Sequence, residues 1–423
     1  MARERMAVRL WLCRAVATLA FLMATAQGAT KGSAAQPGDW PQWRGPERTG
    51  ISQETGLLKS WPEGGPALAW KAKGLGGGFS SVAVAAGRVY TQGHVKGQEM
   101  VFALDEATGQ LAWSKSISPA GRVGPAGSRS TPTVSGGRLY VESVMGNVAC
   151  LEAADGREVW RVSLVQDFGG TVPQWGYSES PLVDGDRVVC TPGRANAMVA
   201  LDKATGKAAW EAALPYTEAA NYSSPVVAEL GGKRQYIQFI QKGAIGVEAS
   251  SGQFLWFGKF GTPDPGYSCN TPLVTNELVF LSSQWSGIAL RSPASGAAAE
   301  KAYETRDLRN VHSGYVAVGD HLYGGQTRSS FACVGIKTGR LAWQDPRPGM
   351  CAVIAADGLL FLRNEKGPLL LAEASPAGYK ETGRFDPPDR TREPAWAHPA
   401  LANGRLYIRD QDVLLCFDVR AKR

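Results

Sequence analysis

One eleven-residue ending recurs along the chain, and it limits the fold more than any other feature. Ala103 to Trp113 reads ALDEATGQLAW, and Ala200 to Trp210 reads ALDKATGKAAW. Related endings run from Cys150 to Trp160 (CLEAADGREVW), Gly246 to Trp256 (GVEASSGQFLW) and Cys333 to Trp343 (CVGIKTGRLAW). The closing tryptophans Trp113, Trp160, Trp210, Trp256 and Trp343 are spaced by 47, 50, 46 and 87 residues. The last gap is two repeats long, and a degenerate unit from Leu290 to Lys301 (LRSPASGAAAEK) fills it. A second degenerate unit, LAEASPAGYKET, runs from Leu371 to Thr382. Self-similarity at such a period marks a repeat architecture.

Each ending has an upstream half. STPTV from Ser130 is followed by GGRLYVES, ESPLV from Glu179 by DGDRVVCT, and NTPLV from Asn270 by TNELVFLSS. Short β-branched runs separated by Gly or Asx turns read as strand–turn–strand. Four strands in ~45 residues make one propeller blade. Upstream halves fall near Ser81, Thr131, Ser180, Ser224, Thr271, Gly314, Ala352 and His398, which gives eight. The last unit, ending LLCFDV at Val419, has no Trp strand, and Trp70 in PALAWKA has no upstream half. The expected fold is therefore all-β: an eight-bladed propeller of four-stranded antiparallel blades. An N-terminal strand completes the C-terminal blade, and closure removes open sheet edges.

Within the repeat, Asp105 and Asp202 precede tight turns ending at Gly109 and Gly206. An Asp there can accept backbone N–H bonds from its own turn, and Gly supplies positive φ. A Trp on the outer strand can lay its ring on the neighbouring blade. Such a ring buries roughly 150–250 Å², worth at most ~4–6 kcal/mol at about 25 cal/mol per Å². Trp70 and the five repeat tryptophans, with Asp105, Gly109, Asp202 and Gly206, are accordingly read as scaffold.

The pattern A-x-D-x-x-T-G-x-x-x-W, complete at Ala103–Trp113 and Ala200–Trp210, resembles the tryptophan-docking motif of quinoprotein (pyrroloquinoline quinone, PQQ) dehydrogenases. The same repeat occurs in PQQ-like propeller proteins, including the assembly scaffold BamB. The resemblance covers about residues 66 to 420. WPQWRGPERTG (Trp40 to Gly50), WGYSESPLVDGDRVVCTPG (Trp175 to Gly193) and AHPALANGRLYIRDQDVLLCFDV (Ala397 to Val419) resemble exported PQQ-like proteins of planctomycete-type bacteria. A shared fold does not imply a shared function. The enzymes of the family carry adjacent cysteines over the quinone, and this chain has no Cys-Cys pair. They also hold calcium with a carboxylate and an Asn and use a catalytic Asp. The matching loop at Pro192-Gly193-Arg194 offers no carboxylate. No CxxCH for haem attachment is present.

The first residues read as an export signal. Arg3, Arg5, Arg9 and Arg14 form a basic region, Ala15 to Thr25 an apolar one, and Ala24-Thr25-Ala26 a small-x-small cleavage pattern. The apolar run is short for a membrane span, and Leu12-Cys13 lacks the small residue of a lipoprotein site. The expected organisation is a signal peptide at 1–26, an extended arm at 27–65 and the propeller at 66–423, in a periplasmic or secreted protein. The formal charge of +7 drops to about +4 without that leader. No dense Lys/Arg cluster suggests nucleic acid as a partner.

Other chemistry is sparse. Cys150, Cys333 and Cys416 sit where Ala103 and Ala200 sit, so they read as small buried residues in separate blades. Disulfides from Cys351 to Cys333 or Cys416 stay open alternatives. His94, His312, His321 and His398 lack metal-ligand spacing. No GxSxG, P-loop or HExxH occurs. The Gly74–Gly78 run reads as a blade connection.

A ligand would sit in the central funnel. Residues just before each innermost strand form one ring there: Arg129, Tyr177, Glu179, Tyr222, Asn270, His312 and Trp396. The loops between second and third strands form another: Trp285, Arg328, Arg363, Arg409 and Asp410. Converging aromatics and charges suit a small-molecule or peptide site. The expectation is a monomeric binding or protein-interaction scaffold without catalytic or metal residues, its partner an unknown small molecule or protein at the funnel. The alternative is a quinoprotein-type alcohol or sugar dehydrogenase using PQQ and calcium.

Overall fold

Gly and Asx turns cut the chain into short strands, and each set of four pairs locally before it meets its neighbours. The computed structural model describes residues 37–260, 267, 269–275, 277–291, 298–326 and 330–421. Among them, thirty-two strands form eight four-stranded antiparallel sheets. Blade 1 occupies residues 83–119, blade 2 133–163, blade 3 182–218 and blade 4 226–259. Blade 5 occupies 273–305, blade 6 315–345 and blade 7 351–385. Blade 8 joins the three strands of 400–418 to Ala67–Ala72. The fold is thus the expected eight-bladed propeller. It closes as the unmatched ends required: Ala67–Ala72 pairs antiparallel with Val413–Asp418, placing Trp70 opposite Cys416.

The repeat residues hold blade to blade. Asp105 Oδ1 accepts the N–H groups of Ala107 (3.1 Å) and Thr108 (3.0 Å) and the Thr108 hydroxyl (2.9 Å). The turn then ends at Gly109 with φ +72°. Asp202 builds the same turn before Gly206, at φ +74°. The indole of the preceding blade lies on that glycine. A Cβ on Gly109 would stand 2.4 Å from the Trp70 ring; on Gly156, 2.7 Å from Trp113; on Gly206, 2.7 Å from Trp160; on Gly252, 2.6 Å from Trp210. Each indole N–H also donates to a carbonyl one blade on: Trp70 to Glu106 (2.9 Å), Trp113 to Ala153 (3.1 Å), Trp160 to Lys203 (3.1 Å), Trp210 to Ala249 (3.2 Å) and Trp343 to Ser375 (2.8 Å).

Trp256 departs from this pattern. Its indole N–H donates within its own blade, to Gln235 Oε1 at 2.7 Å, and the side chain is almost wholly buried. The reason is the residue opposite. Ala103, Cys150, Ala200 and Cys333 face their tryptophans, whereas Gly246 faces Trp256. A Cβ at Gly246 would lie 2.1 Å from Trp256 Nε1, so the missing side chain lets the indole fold inward. In the degenerate fifth unit Tyr303 replaces the tryptophan, its hydroxyl donating to Ile336 O (2.7 Å) and its ring resting on Gly339.

The S/T-P step before an innermost strand links neighbours around the axis. Ser81 N donates to Thr131 Oγ1 (3.2 Å), Thr131 N to Ser180 Oγ (2.9 Å), and Ser180 N to Ser224 Oγ (2.9 Å). Each hydroxyl therefore satisfies an amide of the previous blade. The proline that follows has no N–H of its own to satisfy.

The arm does more than lie on the propeller. Residues 38–52 reach the innermost part of every blade. Trp40 exchanges backbone bonds with Val84 (2.9 and 2.8 Å), and Val134 N donates to Pro41 O (2.8 Å). Arg48 donates to Ser180 O (3.0 Å), Pro181 O and Pro225 O (3.0 Å). Trp43 Nε1 donates to Thr271 Oγ1 (2.8 Å), and Arg44 to Tyr315 O. Gly50 and Ser52 bond Ala355, and Gly38 O accepts from Asn403 N (3.2 Å). The arm thus plugs the central channel. The six cysteines from Cys150 to Cys416 are all unpaired here, including Cys351.

Two outcomes follow. Gly206→Ala should cost about 2–5 kcal/mol, combining the left-handed backbone with overpacking against Trp160. Gly87→Ala has a similar φ but open space around it, and should cost only about 1–2 kcal/mol; urea midpoints compare them. A chain starting at Leu75 loses both plug and closing strand and should melt far below the full chain. Unchanged melting would refute the closure.

Candidate functional site

Above the plug, the segments entering the innermost strands enclose a cavity of about 440 Å³. Three aromatic groups wall it. Trp175 stacks near Tyr267 (4.0 Å, 39°) and Tyr222 (5.3 Å, 31°). Phe79 meets Trp396 (4.9 Å, 39°), and His312 stands edge-on to Trp396 (4.8 Å, 90°). Trp43 of the arm meets His398 (4.7 Å, 52°). The plug therefore supplies part of the wall. Arg129 is the one formally charged side chain among the described lining residues.

Several polar atoms of the wall residues have neither a partner nor appreciable accessible surface. His398 Nε2 lies 2.9 Å from His312 O. A carbonyl only accepts, so Nε2 carries the proton and Nδ1 is a bare acceptor. That Nδ1, both ring nitrogens of His312 and the Trp396 N–H make no hydrogen bond. Burial lowers the His312 pKa to about 4. Burial, then the nearby Arg44 charge, lowers that of His398 to about 3. Both imidazoles are neutral at neutral pH. Glu365 Oε2 stays 4.0 Å from His312 Nε2, beyond hydrogen-bond reach.

The first sequence ring splits between this cavity and the layer beneath. Arg129, Tyr222, His312 and Trp396 line the cavity. Tyr177, Glu179 and Asn270 were expected on the rim but are only 1–2% exposed. Tyr177 donates to Pro192 O (2.8 Å). Asn270 donates to Ser282 O (3.0 Å) and Asn310 O (2.7 Å) and accepts from Gly314 N (3.0 Å). Their side chains tie loops together, so the ring position fixes where the backbone runs but not which way each side chain turns. The second ring departs further. Arg409 is buried and donates to Thr91, Gln92 O and Leu75 O. Arg363 is wholly buried and pairs with Asp410 at 2.8 Å. Trp285 is 49% exposed and is not among the lining residues. Arg328 lies outside the described residues. The sequence reading missed Trp43, Phe79, Trp175, Tyr267 and His398. Trp43 and Trp175 stood in the family-like segments, the available signal.

Below the cavity lies a buried acidic group. Glu142, Glu179 and Cys190 place ligand-type atoms within 4.8 Å of one another. Glu179 accepts from Thr191 N (2.6 Å) and Gln238 Nε2 (3.0 Å), while neither Glu142 oxygen has a donor partner. Burial and the Glu179 carboxyl hold the Glu142 pKa well above the ordinary range. Burial also raises that of Glu179, against bonds from Thr191 and the charge of Arg48. A proton on Glu142 removes the repulsion between the two.

The calcium-held quinone of the dehydrogenases does not fit this cavity. No carboxylate stands among its described lining residues, and Cys269 is the single cysteine there.

The family model described as outer membrane protein assembly factor BamB matches residues 96–345. The chain belongs to the PQQ-like β-propeller family. No curated protein matches this PQQ-like chain. Among solved structures, BamB from Moraxella catarrhalis is 14% identical, with TM-score 0.64 over 84% of this chain and 98% of its own. Quinohemoprotein alcohol dehydrogenase from Comamonas testosteroni is 12% identical, with TM-score 0.68 over 93% and 82%. The computationally designed Ika8 protein is 10% identical, with TM-score 0.59 over 83% and 99%. Likeness at these identities shows the fold alone.

The Glu142 proton has a measurable consequence. A carboxyl whose folded pKa is raised stabilises fully below the ordinary glutamate range, about 4.3. That stability is lost as pH rises through the folded value. Glu142→Gln should therefore melt like the parent near pH 4 and above it near pH 8. Equal melting across the range would show that Glu142 is not held protonated.

Proposed function

We propose that this chain is an exported PQQ-like β-propeller serving as a binding scaffold, with a small molecule as the ligand of its funnel. The observation that carries the reading is the cavity above the plug. It is concave, walled by aromatic rings, and carries a few polar side chains, among them Arg129, Tyr222 and Gln284. Ligand sites combine those three features. The volume, in the lower part of the usual range of about 300–1,000 Å³, suits a small molecule better than a peptide side. The basic, then apolar, then small-residue order of residues 3–26 supports export. A dehydrogenase reading gains nothing from the cavity, which offers no carboxylate as base or calcium ligand among its described lining residues.

The test is affinity selection of the full chain against a metabolite library, read by mass spectrometry. The parent should retain compounds that Trp396→Ala and Tyr222→Ala release, with melting unchanged. Retention of the same compounds by all three proteins would remove the funnel from the function. Dye-linked alcohol oxidation after loading with PQQ and calcium should stay at background.

A further inference from the structure

The buried acidic group below the cavity takes no part in the funnel. Glu142 ends the second strand of blade 2, Arg138–Glu142. Cys190 ends the second strand of blade 3, Arg187–Cys190, and Glu179 lies just ahead of that blade's first strand, Leu182–Asp184. The propeller thus brings two carboxyls and a thiol together across a blade boundary, one ligand-type atom of each within 4.8 Å of the others. No other such trio of His, Cys, Asp or Glu occurs among the described residues. All three residues are buried.

One of the three is left without a bonding partner. Both Glu142 oxygens are closed to solvent and accept no hydrogen bond, and one of them faces Glu179 and Cys190. A buried carboxylate is stable only when paired or when it coordinates a metal; otherwise it takes up a proton. Glu179 is held by contrast. Thr191 N (2.6 Å) and Gln238 Nε2 (3.0 Å) each donate to one of its oxygens, and lone pairs remain on both. Cys190 is in no disulfide. A further unpartnered oxygen, Gln92 Oε1, belongs to an amide that donates to Glu142 O (2.9 Å).

We propose that Glu142, Glu179 and Cys190 form a divalent-metal site of the zinc class, which ties blade 2 to blade 3 beneath the cavity. The ligand set selects the metal. Calcium takes six to eight oxygens and magnesium keeps several waters, whereas this trio is closed to solvent and includes sulfur. Thiolate beside carboxylate suits zinc. Tetrahedral zinc sets such ligand atoms about 3.3–3.5 Å apart, and Glu142, which no hydrogen bond holds, can close the difference. Charge also balances. With protons on Glu142 and Cys190, the Glu179 carboxylate remains to oppose the Arg48 guanidinium. One divalent cation in place of those two protons, which pass to solvent, leaves the net charge unchanged. None of the three residues lies in the Pro192-Gly193-Arg194 loop that matches the calcium site of the dehydrogenases.

Because the trio is closed to solvent, the ion loads as the chain folds around its arm. The test refolds the full, untagged chain from denaturant with zinc, manganese or calcium, and measures metal retained after gel filtration by plasma mass spectrometry. Zinc should remain at about one ion per chain. Cobalt in its place should give a thiolate-to-cobalt absorption band. Cys190→Ser should abolish the band. Glu142→Gln should weaken zinc by more than about 100-fold, the upper end for loss of a mere outer-shell partner. Cys416→Ser, in blade 8, should keep both band and zinc. Zinc should raise the melting of the parent and leave that of Glu142→Gln unchanged. In chelator Glu142→Gln should still melt above the parent near pH 8, since a proton then takes the place of the ion. Zinc retained equally by Glu142→Gln and Cys190→Ser would be adventitious and would overturn the site, as would retention of none of the three metals. Calcium or manganese retained in preference to zinc would overturn the zinc class. Should a variant not fold, the cobalt band decides: present at one equivalent in the parent and in Cys416→Ser it supports the site, and absent from the parent it overturns it.

Discussion

Eight innermost strands converging on one axis leave a channel lined by backbone carbonyls, and the molecule is organised around filling it. Arg48 is the central device. Its guanidinium serves three carbonyls from two blades, a number that a single ammonium centre would match less readily than a planar fork. Burial lowers its pKa to about 9, with Glu179 opposing, so it stays charged at neutral pH. The carbonyl dipoles and the Glu179 carboxyl stand in for the water it has lost. The rest of the arm follows from this anchor. Trp40, Trp43 and Arg44 take the neighbouring positions, and the same chain then continues into the strand that closes blade 8. Plugging and closure are one covalent arrangement.

The outer circumference is held differently, by ring-on-glycine contact. A glycine in the left-handed conformation gives Trp70, Trp113, Trp160 and Trp210 each a flat seat, and a carbonyl just beyond accepts the indole N–H. The contact needs both partners, and Trp256 illustrates what happens otherwise. Opposite Gly246 the indole turns into its own sheet and bonds Gln235. Tyr303 restores the contact one blade later with a hydroxyl in place of an indole N–H. Blades 4 and 5 are still linked from inside, where Ser223 Oγ donates to Asn270 O (2.9 Å) and the plug bonds Pro225 O and Thr271 Oγ1.

The cavity is a by-product of that inner scaffold as much as an addition to it. Plug residues form part of its wall, and entry segments of the innermost strands form the rest. Its described lining is aromatic and largely neutral, with Arg129 the one formal charge. The acidic pair Glu142 and Glu179 lies in the layer below, where Arg48 and a proton balance it. Carboxylate charge is thereby absent from the described lining of the cavity and placed where it supports the plug.

Blade number, blade boundaries and ring closure were legible in the sequence because each repeat carries local rules. An Asp that caps its own turn, a Gly at positive φ and a Trp ten residues past the Ala or Cys of its unit act within a dozen residues. Strand pairing is then nearest-neighbour. Even the Trp256 exception had a local sign in Gly246. The site was legible only in outline. Position in the repeat places a backbone near the funnel, but side-chain direction there depends on partners far along the chain. Glu179 turns under to Thr191 and Gln238, and Asn270 to Asn310, while Arg409 is drawn to carbonyls of blade 1. Trp43 and His398 meet across some 355 residues, and no spacing rule brings them together. Short-range turns and periodic apolar strands are enough to specify a closed eight-bladed ring. What fills its axis and which side chains line the cavity depend instead on which distant groups satisfy one another once the ring has closed.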